Sequence, residues 1–142
     1  MGRRAEPDTP AYVDTSAFVA FLDQSDTYHE FFVHRFAAPP RLLTSSLVIA
    51  EGHAWFLRRY DRFKAFQFLA FIDDLSVVLI AGVGSREIQE ASKYLRRFSD
   101  QDLTLTDATG LFLMKRDRIK SCWSTDFHLG LTGVPLVTGP RS

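Results

Sequence analysis

The sequence predicts an α/β fold, a three-layer sandwich with helices on both faces of a mostly parallel sheet. Three observations carry this expectation. Short apolar runs alternate with longer stretches of helical spacing from residue 11 onward. No two-residue hairpin signal joins successive strand candidates, which argues for crossover connections. The run Ser76 to Ala81 is rich in β-branched apolar residues and is followed by Gly82 and Gly84, as expected of a strand buried in a parallel sheet. At 142 residues and 46% hydrophobic content, the chain suits a single domain with one substantial core.

Each element follows from local chemistry. Residues 1–10 are polar with two prolines and read as a flexible leader before a single domain over 11–142. Ala11-Tyr12-Val13 is a first strand that ends at Asp14. Thr15 or Ser16 can cap a helix through Leu22, and a second helical pattern runs from about Thr27 to Ala37, closed by Pro39-Pro40. Arg41 to Ser45 is the second strand. Ser46 offers a cap to a long helix reaching about Tyr60, and a phenylalanine-rich helix follows over about 61–74. After the run at 76–81, Ser85 to Phe98 returns to helical spacing, and a polar loop over 99–104 leads to a helix from about Thr106 to Arg116. Ile119 to Ser124 is the next strand, with Asp126 just past it, and Val134 to Val137 offers a last one.

Charge and cysteine content narrow the setting. Lysine plus arginine equals aspartate plus glutamate at 17 each, so any nucleic-acid contact must come from a local patch and not from a bulk field. The lone Cys122 forms no internal disulfide and suits a reducing, cytoplasmic compartment. Neither a signal-peptide core nor an apolar stretch long enough to span a membrane is visible, so no membrane association is expected.

The acids are the informative residues. Glu51 has Leu47, Val48, Ala54 and Trp55 at helical neighbour spacing, which places a carboxylate on an apolar face. Acids are almost never buried unless paired or metal-bound, so Glu51 calls for a metal ion, or else for an arginine partner or a place at the rim of the core. Taken alone, Asp107 reads as a helix N-terminal residue, and Asp14 and Asp126 as turn residues after strands. Ligand crevices in such folds lie outside the carboxyl ends of the strands, where Asp14 and Asp126 both fall. Carboxylates gathered there repel one another unless a divalent cation compensates them, and hard oxygen ligands select magnesium or manganese.

The stretches Tyr12-Val13-Asp14-Thr15-Ser16-Ala17-Phe18, Ser46-Leu47-Val48-Ile49-Ala50-Glu51, Leu103-Thr104-Leu105-Thr106-Asp107-Ala108 and Ser124-Thr125-Asp126-Phe127-His128 resemble, in order and spacing, the four acidic blocks of PIN-domain ribonucleases. Asp100-Gln101-Asp102 before Leu103 is similar to a loop of the toxin branch of type II toxin–antitoxin systems. The resemblance implies that Asp14, Glu51, Asp107 and Asp126 bind magnesium and that Ser16 and Ser124 orient acids and waters. Asp102 is a departure, a fifth nearby acid whose turn-like surroundings place it in the loop or behind the ligands, with a lesser claim as a ligand itself. Ser124 stands where the family more often has threonine, which keeps the hydroxyl. The implied function is endoribonucleolytic cleavage of RNA to 5′-phosphate and 3′-hydroxyl ends, by a toxin held silent by a cognate antitoxin.

Two other classes compete with this reading. A phosphate-receiving signalling or phosphatase domain also uses strand-end aspartates, but Asp14-Thr15-Ser16 lacks its second aspartate. A silent binding module would have lost an acid, and none is missing. His29, His34, His53 and His128 lack metal-ligand spacing and read as surface or packing residues, with His128 in a local capping role. The clusters Arg58, Arg59, Arg62, Lys64; Arg96, Arg97; and Lys115, Arg116, Arg118, Lys120 read mainly as solvated helix faces. The phenylalanines at 31, 32, 36, 63, 66, 68 and 71 read as core or dimer packing, and their number predicts a homodimer.

Overall fold

A computed structural model describes residues 9–139 of the chain; most of the expected leader lies outside the described residues. Four strands, β1 (Ala11–Val13), β2 (Leu42–Ser45), β3 (Val78–Ala81) and β4 (Cys122–Trp123), form one parallel sheet in the order β3-β2-β1-β4. Six helices accompany them: α1 (Thr15–Leu22), α2 (His29–Ala37), α3 (Ser46–Arg59), α4 (Arg62–Asp74), α5 (Ser85–Arg97) and α6 (Leu105–Arg116). A 3₁₀ turn, Phe127–Gly130, follows β4.

Alternation along the strands sorts side chains between two hydrophobic clusters. Ala11, Val13, Leu42 and Trp123 face the first, and Tyr12, Leu43 and Cys122 face the second. Helices α1 to α4 cover the first face, where Phe18, Phe32, Phe36, Phe56 and Phe68 are buried ring against ring. Helices α5 and α6 cover the second, with Leu111, Leu113, Met114 and Leu129 buried beneath them. This is the three-layer architecture that the alternating pattern predicts.

Several elements depart from expectation. The run at 76–81 gives only β3, and it is an edge strand: Leu79 is 67% exposed and Ile80 42%. An uninterrupted apolar run reports that a strand can be buried on both faces, not that a helix arrives to cover it. Ile119 to Ser124 shortens to the two residues of β4. Val134 to Val137 makes a single bridge, Leu136 beside Cys122, with Cys122 N–H donating to Pro135 O and Val137 N–H to Cys122 O. Pro135 has no N–H to extend a ladder. Ser45, not Ser46, caps α3, its Oγ accepting from Val48 N–H at 3.2 Å. Asp14 occupies the N-cap position of α1 in place of Thr15 or Ser16, without a side-chain cap bond. Phe68 is buried and Phe71 packs against the core, while Phe63 and Phe66 are exposed.

Two close approaches set the geometry near the strand ends. A β-carbon on Gly110 would lie 3.0 Å from both Tyr12 and Leu129, so a bare backbone lets α6 sit tight on β1. Helix α6 ends with Ile119 N–H donating to Met114 O at 2.8 Å, a closure that places Arg118 in the left-handed region at φ 56°.

Candidate metal centre at the strand ends

Strand β1 lies between β2 and β4, so the chain leaves it in one direction to reach β2 and comes back on the other side at β4. Such a reversal opens a crevice at the carboxyl ends of the two strands. Asp14 follows β1 and Asp126 follows β4. Asp107 is the third residue of α6, and Glu51 lies in the second turn of α3, which touches α6. Asp14 at the N-cap of α1, Asp107 in the first turn of α6 and Asp126 at the N-cap of the 3₁₀ turn all meet the positive end of a helical turn. Those partial charges offset part of the repulsion among the acids.

Each of these three acids is tied down through one oxygen. Asp14 Oδ2 accepts from Ser16 Oγ at 2.9 Å and from Ser124 Oγ at 3.0 Å. The two hydroxyls are themselves fixed, since Thr125 N–H donates to Ser16 Oγ at 3.0 Å and Asp126 N–H to Ser124 Oγ at 2.9 Å. Asp107 Oδ2 accepts from Thr104 N–H, and Asp107 N–H donates to Thr104 Oγ1, a reciprocal capping box. Asp126 Oδ1 accepts from His128 N–H at 3.0 Å and lies 2.8 Å from His128 Nδ1. These bonds leave Asp14 Oδ1, Asp107 Oδ1 and Asp126 Oδ2 as the oxygens not engaged by them.

Electrostatics records the crowding. Burial pushes Asp14 up to about 6, the Asp107 and Asp126 charges adding to it and the two serine hydroxyls opposing it. Burial also raises Asp107, with the charges of Asp126 and Glu51 contributing. Asp107, Asp126 and His128 each offer a ligand atom within 4.8 Å of the others. The donor set is dominated by carboxylate oxygen and its charge is uncompensated by any lysine or arginine ion pair among the described residues. It therefore fits a hard divalent cation.

Glu51 takes the place at the rim of the core that its apolar neighbours left open, and not a core-facing one. The buried face of α3 is Val48, Gly52 and Phe56, and Glu51 sits half-buried at its margin, where its charge reaches Asp107. Asp102 is exposed in the loop before α6 and, like Asp14 and Glu51, lies outside the close group formed by Asp107, Asp126 and His128. His128 is the residue that sequence spacing undervalued. Its partner is an aspartate two residues earlier, a contact made by the 3₁₀ turn and invisible to helical ligand spacing.

The model of the PIN domain family matches residues 11–129, and the chain belongs to that family. No curated protein matches its sequence. Among solved structures it is similar to the Mycobacterium tuberculosis VapC20 toxin, described as cleaving the sarcin-ricin loop, at 24% identity and a TM-score of 0.80, over 87% of this chain and 95% of that one. It is also similar to VapBC2 of Rickettsia felis, solved bound to a DNA fragment from its promoter, at 12% identity and a TM-score of 0.59, over 89% and 96% of the two chains. These likenesses define the fold.

Proposed function

We infer that this PIN-domain protein is a magnesium-dependent endoribonuclease, with manganese as an alternative ion, and the toxin of a toxin–antitoxin pair. The observation that carries the reading is the anchoring of Asp14, Asp107 and Asp126 through one oxygen each, with the other left for a ligand. Asp14, Asp107 and Asp126 would hold the ion, and Glu51, whose charge reaches Asp107, would complete the shell or orient the attacking water. A divalent ion bound there would supply positive charge at the scissile phosphate and lower the pKa of the attacking water. Ser16 and Ser124 keep the Asp14 carboxylate in one orientation, and His128 does the same for Asp126. Asp102 contributes at most through the loop. The expected products carry 5′-phosphate and 3′-hydroxyl ends.

The fold shared with a toxin that cleaves an RNA loop and with a toxin–antitoxin complex supports RNA as substrate and an antitoxin as partner. No helix among the described residues is long and apolar enough to cross a membrane; action in the cytoplasm is part of this proposal. Leu57 on α3, Tyr60 between α3 and α4, and Phe63 and Phe66 on α4 are exposed, and we assign these apolar side chains to a homodimer. A single-chain mass by light scattering at micromolar concentration would remove the homodimer. The nuclease reading is tested by incubating a defined RNA pool with the protein in magnesium or EDTA and mapping the ends. Cleavage by wild type in magnesium alone, absent in Asp14→Asn, is expected; equal cutting by both proteins rejects the site.

A further inference from the structure

On the second face of the sheet, a groove of about 710 Å³ runs between α5 and α6. It is continuous with a smaller hollow of about 320 Å³ through Arg97, Lys115 and Arg118, which line both. Arg86, Lys93 and Arg97 come from α5, and Lys115, Arg116 and Arg118 from the end of α6 and just beyond. In a chain of zero formal net charge this is a concentration of one sign. Compensation is partial. Lys93 pairs with Glu90, and Arg116 with Asp117. The Glu87 carboxylate accepts from Gly84 N–H at 2.7 Å. Arg86, Arg97, Lys115 and Arg118 have no ion pair among the described residues.

Arg118 adds an independent observation. Among the described residues it is the one non-glycine with positive φ, at a helix-closing position where glycine or asparagine is the ordinary occupant. The backbone there disfavours a side chain, and the side chain present is a cation lining both hollows. A residue kept against its local conformational preference points to a role for its side chain.

We propose that the α5–α6 groove is an RNA-backbone site that grips phosphates of the substrate away from the cut, with Arg86, Arg97, Lys115 and Arg118 as its contacts. The proposal rests on the nuclease reading above for the identity of the polyanion. Helix α6 carries Asp107 in its first turn and Lys115 in its last, about 12 Å apart along the axis and about 80° apart around it, so a strand that curves over the helix can reach both sites. Tyr94 and Phe112 in the groove are half-buried against the second cluster. The Arg116 guanidinium lies over the Phe112 ring at 6.0 Å, and six cations line the groove beside these two rings, so the grip is on phosphates and indifferent to sequence.

The test uses the full chain as wild type, as Arg118→Gly and as Arg97→Gln with Lys115→Gln. Binding of a long labelled RNA is read by fluorescence anisotropy in EDTA across a salt series, and cleavage in magnesium is read on a minimal RNA too short to reach the groove. We expect the double variant to bind the long RNA about tenfold more weakly, with the slope of log affinity on log salt shallower by about 0.7 for each contact removed. Arg118→Gly weakens binding while melting at or above the wild-type temperature, which separates lost contact from lost fold. Cleavage of the minimal RNA is unchanged. Wild-type affinity of both variants for the long RNA overturns the proposal. So does an unchanged RNA affinity with reduced binding of polyglutamate, which would assign the groove to an acidic protein. Groove-dependent RNA binding without cleavage in magnesium or manganese supports the groove and rejects the nuclease; cleavage of the minimal RNA together with wild-type affinity of both variants for the long RNA does the reverse.

Discussion

Ser16 and Ser124, 108 residues apart in sequence, place their hydroxyl oxygens 3.1 Å from each other, and both reach the same oxygen of Asp14. Each hydroxyl has one proton to give, and each accepts a backbone N–H from residues 125 and 126, so both protons are free to serve Asp14. The end of β1 and the loop after β4 are thereby locked to one carboxylate.

Ser124→Ala leaves Asp126 N–H and one lone pair of Asp14 without their partner in a buried setting, a loss of about 1–3 kcal/mol. Cleavage is expected to fall about 10–100-fold, as for groups that orient metal ligands. Ser124→Thr, which keeps the hydroxyl, should restore most of it. Initial rates beside thermal melts check this, and full activity in Ser124→Ala would dismiss the orienting role.

Asp14 makes the metal-free protein less stable as pH rises. Its folded value of about 6 lies above the ordinary 3.8, so the protonated carboxyl favours the fold. That stability is complete below about pH 4 and lost as pH climbs through about 6, amounting to about 3 kcal/mol. Asp14→Asn, neutral throughout, should therefore melt higher than wild type at pH 8 in EDTA, and the gap should close by pH 4. Saturating magnesium should raise the wild type and not the variant. Equal melting temperatures at pH 8 would contradict the burial argument.

His128→Ala removes the imidazole from Asp126 Oδ1 but keeps the backbone N–H that caps the same oxygen. A drop in cleavage of about tenfold, with weaker manganese affinity by electron paramagnetic resonance, fits a positioning residue. A loss as deep as that of Asp126→Asn would make His128 a ligand in its own right.

Gly52→Ala tests the packing of α3 on α4. The added methyl would stand 2.6 Å from Phe68 Cζ, and Phe68 is buried against Phe18 and Phe56. The gain in helix propensity, about 1 kcal/mol, is outweighed by overpacking of about 1–3 kcal/mol. Urea denaturation should show a lower midpoint, and an unchanged one would mean the ring yields freely.

Much of this architecture was legible before any coordinates, because amphipathic spacing and strand alternation are local. The helices α3, α4 and α5 fall within a few residues of where periodicity puts them. What escaped depends on neighbours. The exposure of Leu79 follows from β3 being at the edge, and no residue in 76–81 encodes which strand lies beside it. Glu51 shifted from the core to its margin because the true buried line of α3 runs through Gly52, which an apolar count passes over. Asp14, Asp107 and Asp126 were readable as strand-end and helix-start acids; the partners of their anchored oxygens were not, apart from the serines marked by the family pattern.

The sheet that carries these acids is built from strands of only two to four residues, with a separate cluster packed on each side. So narrow a septum gives little resistance to shear between the two half-molecules. An ion held jointly by the β1 end, α6 and the segment past β4 would act as a clasp across that septum, coupling the rigidity of the whole molecule to occupancy of a single point.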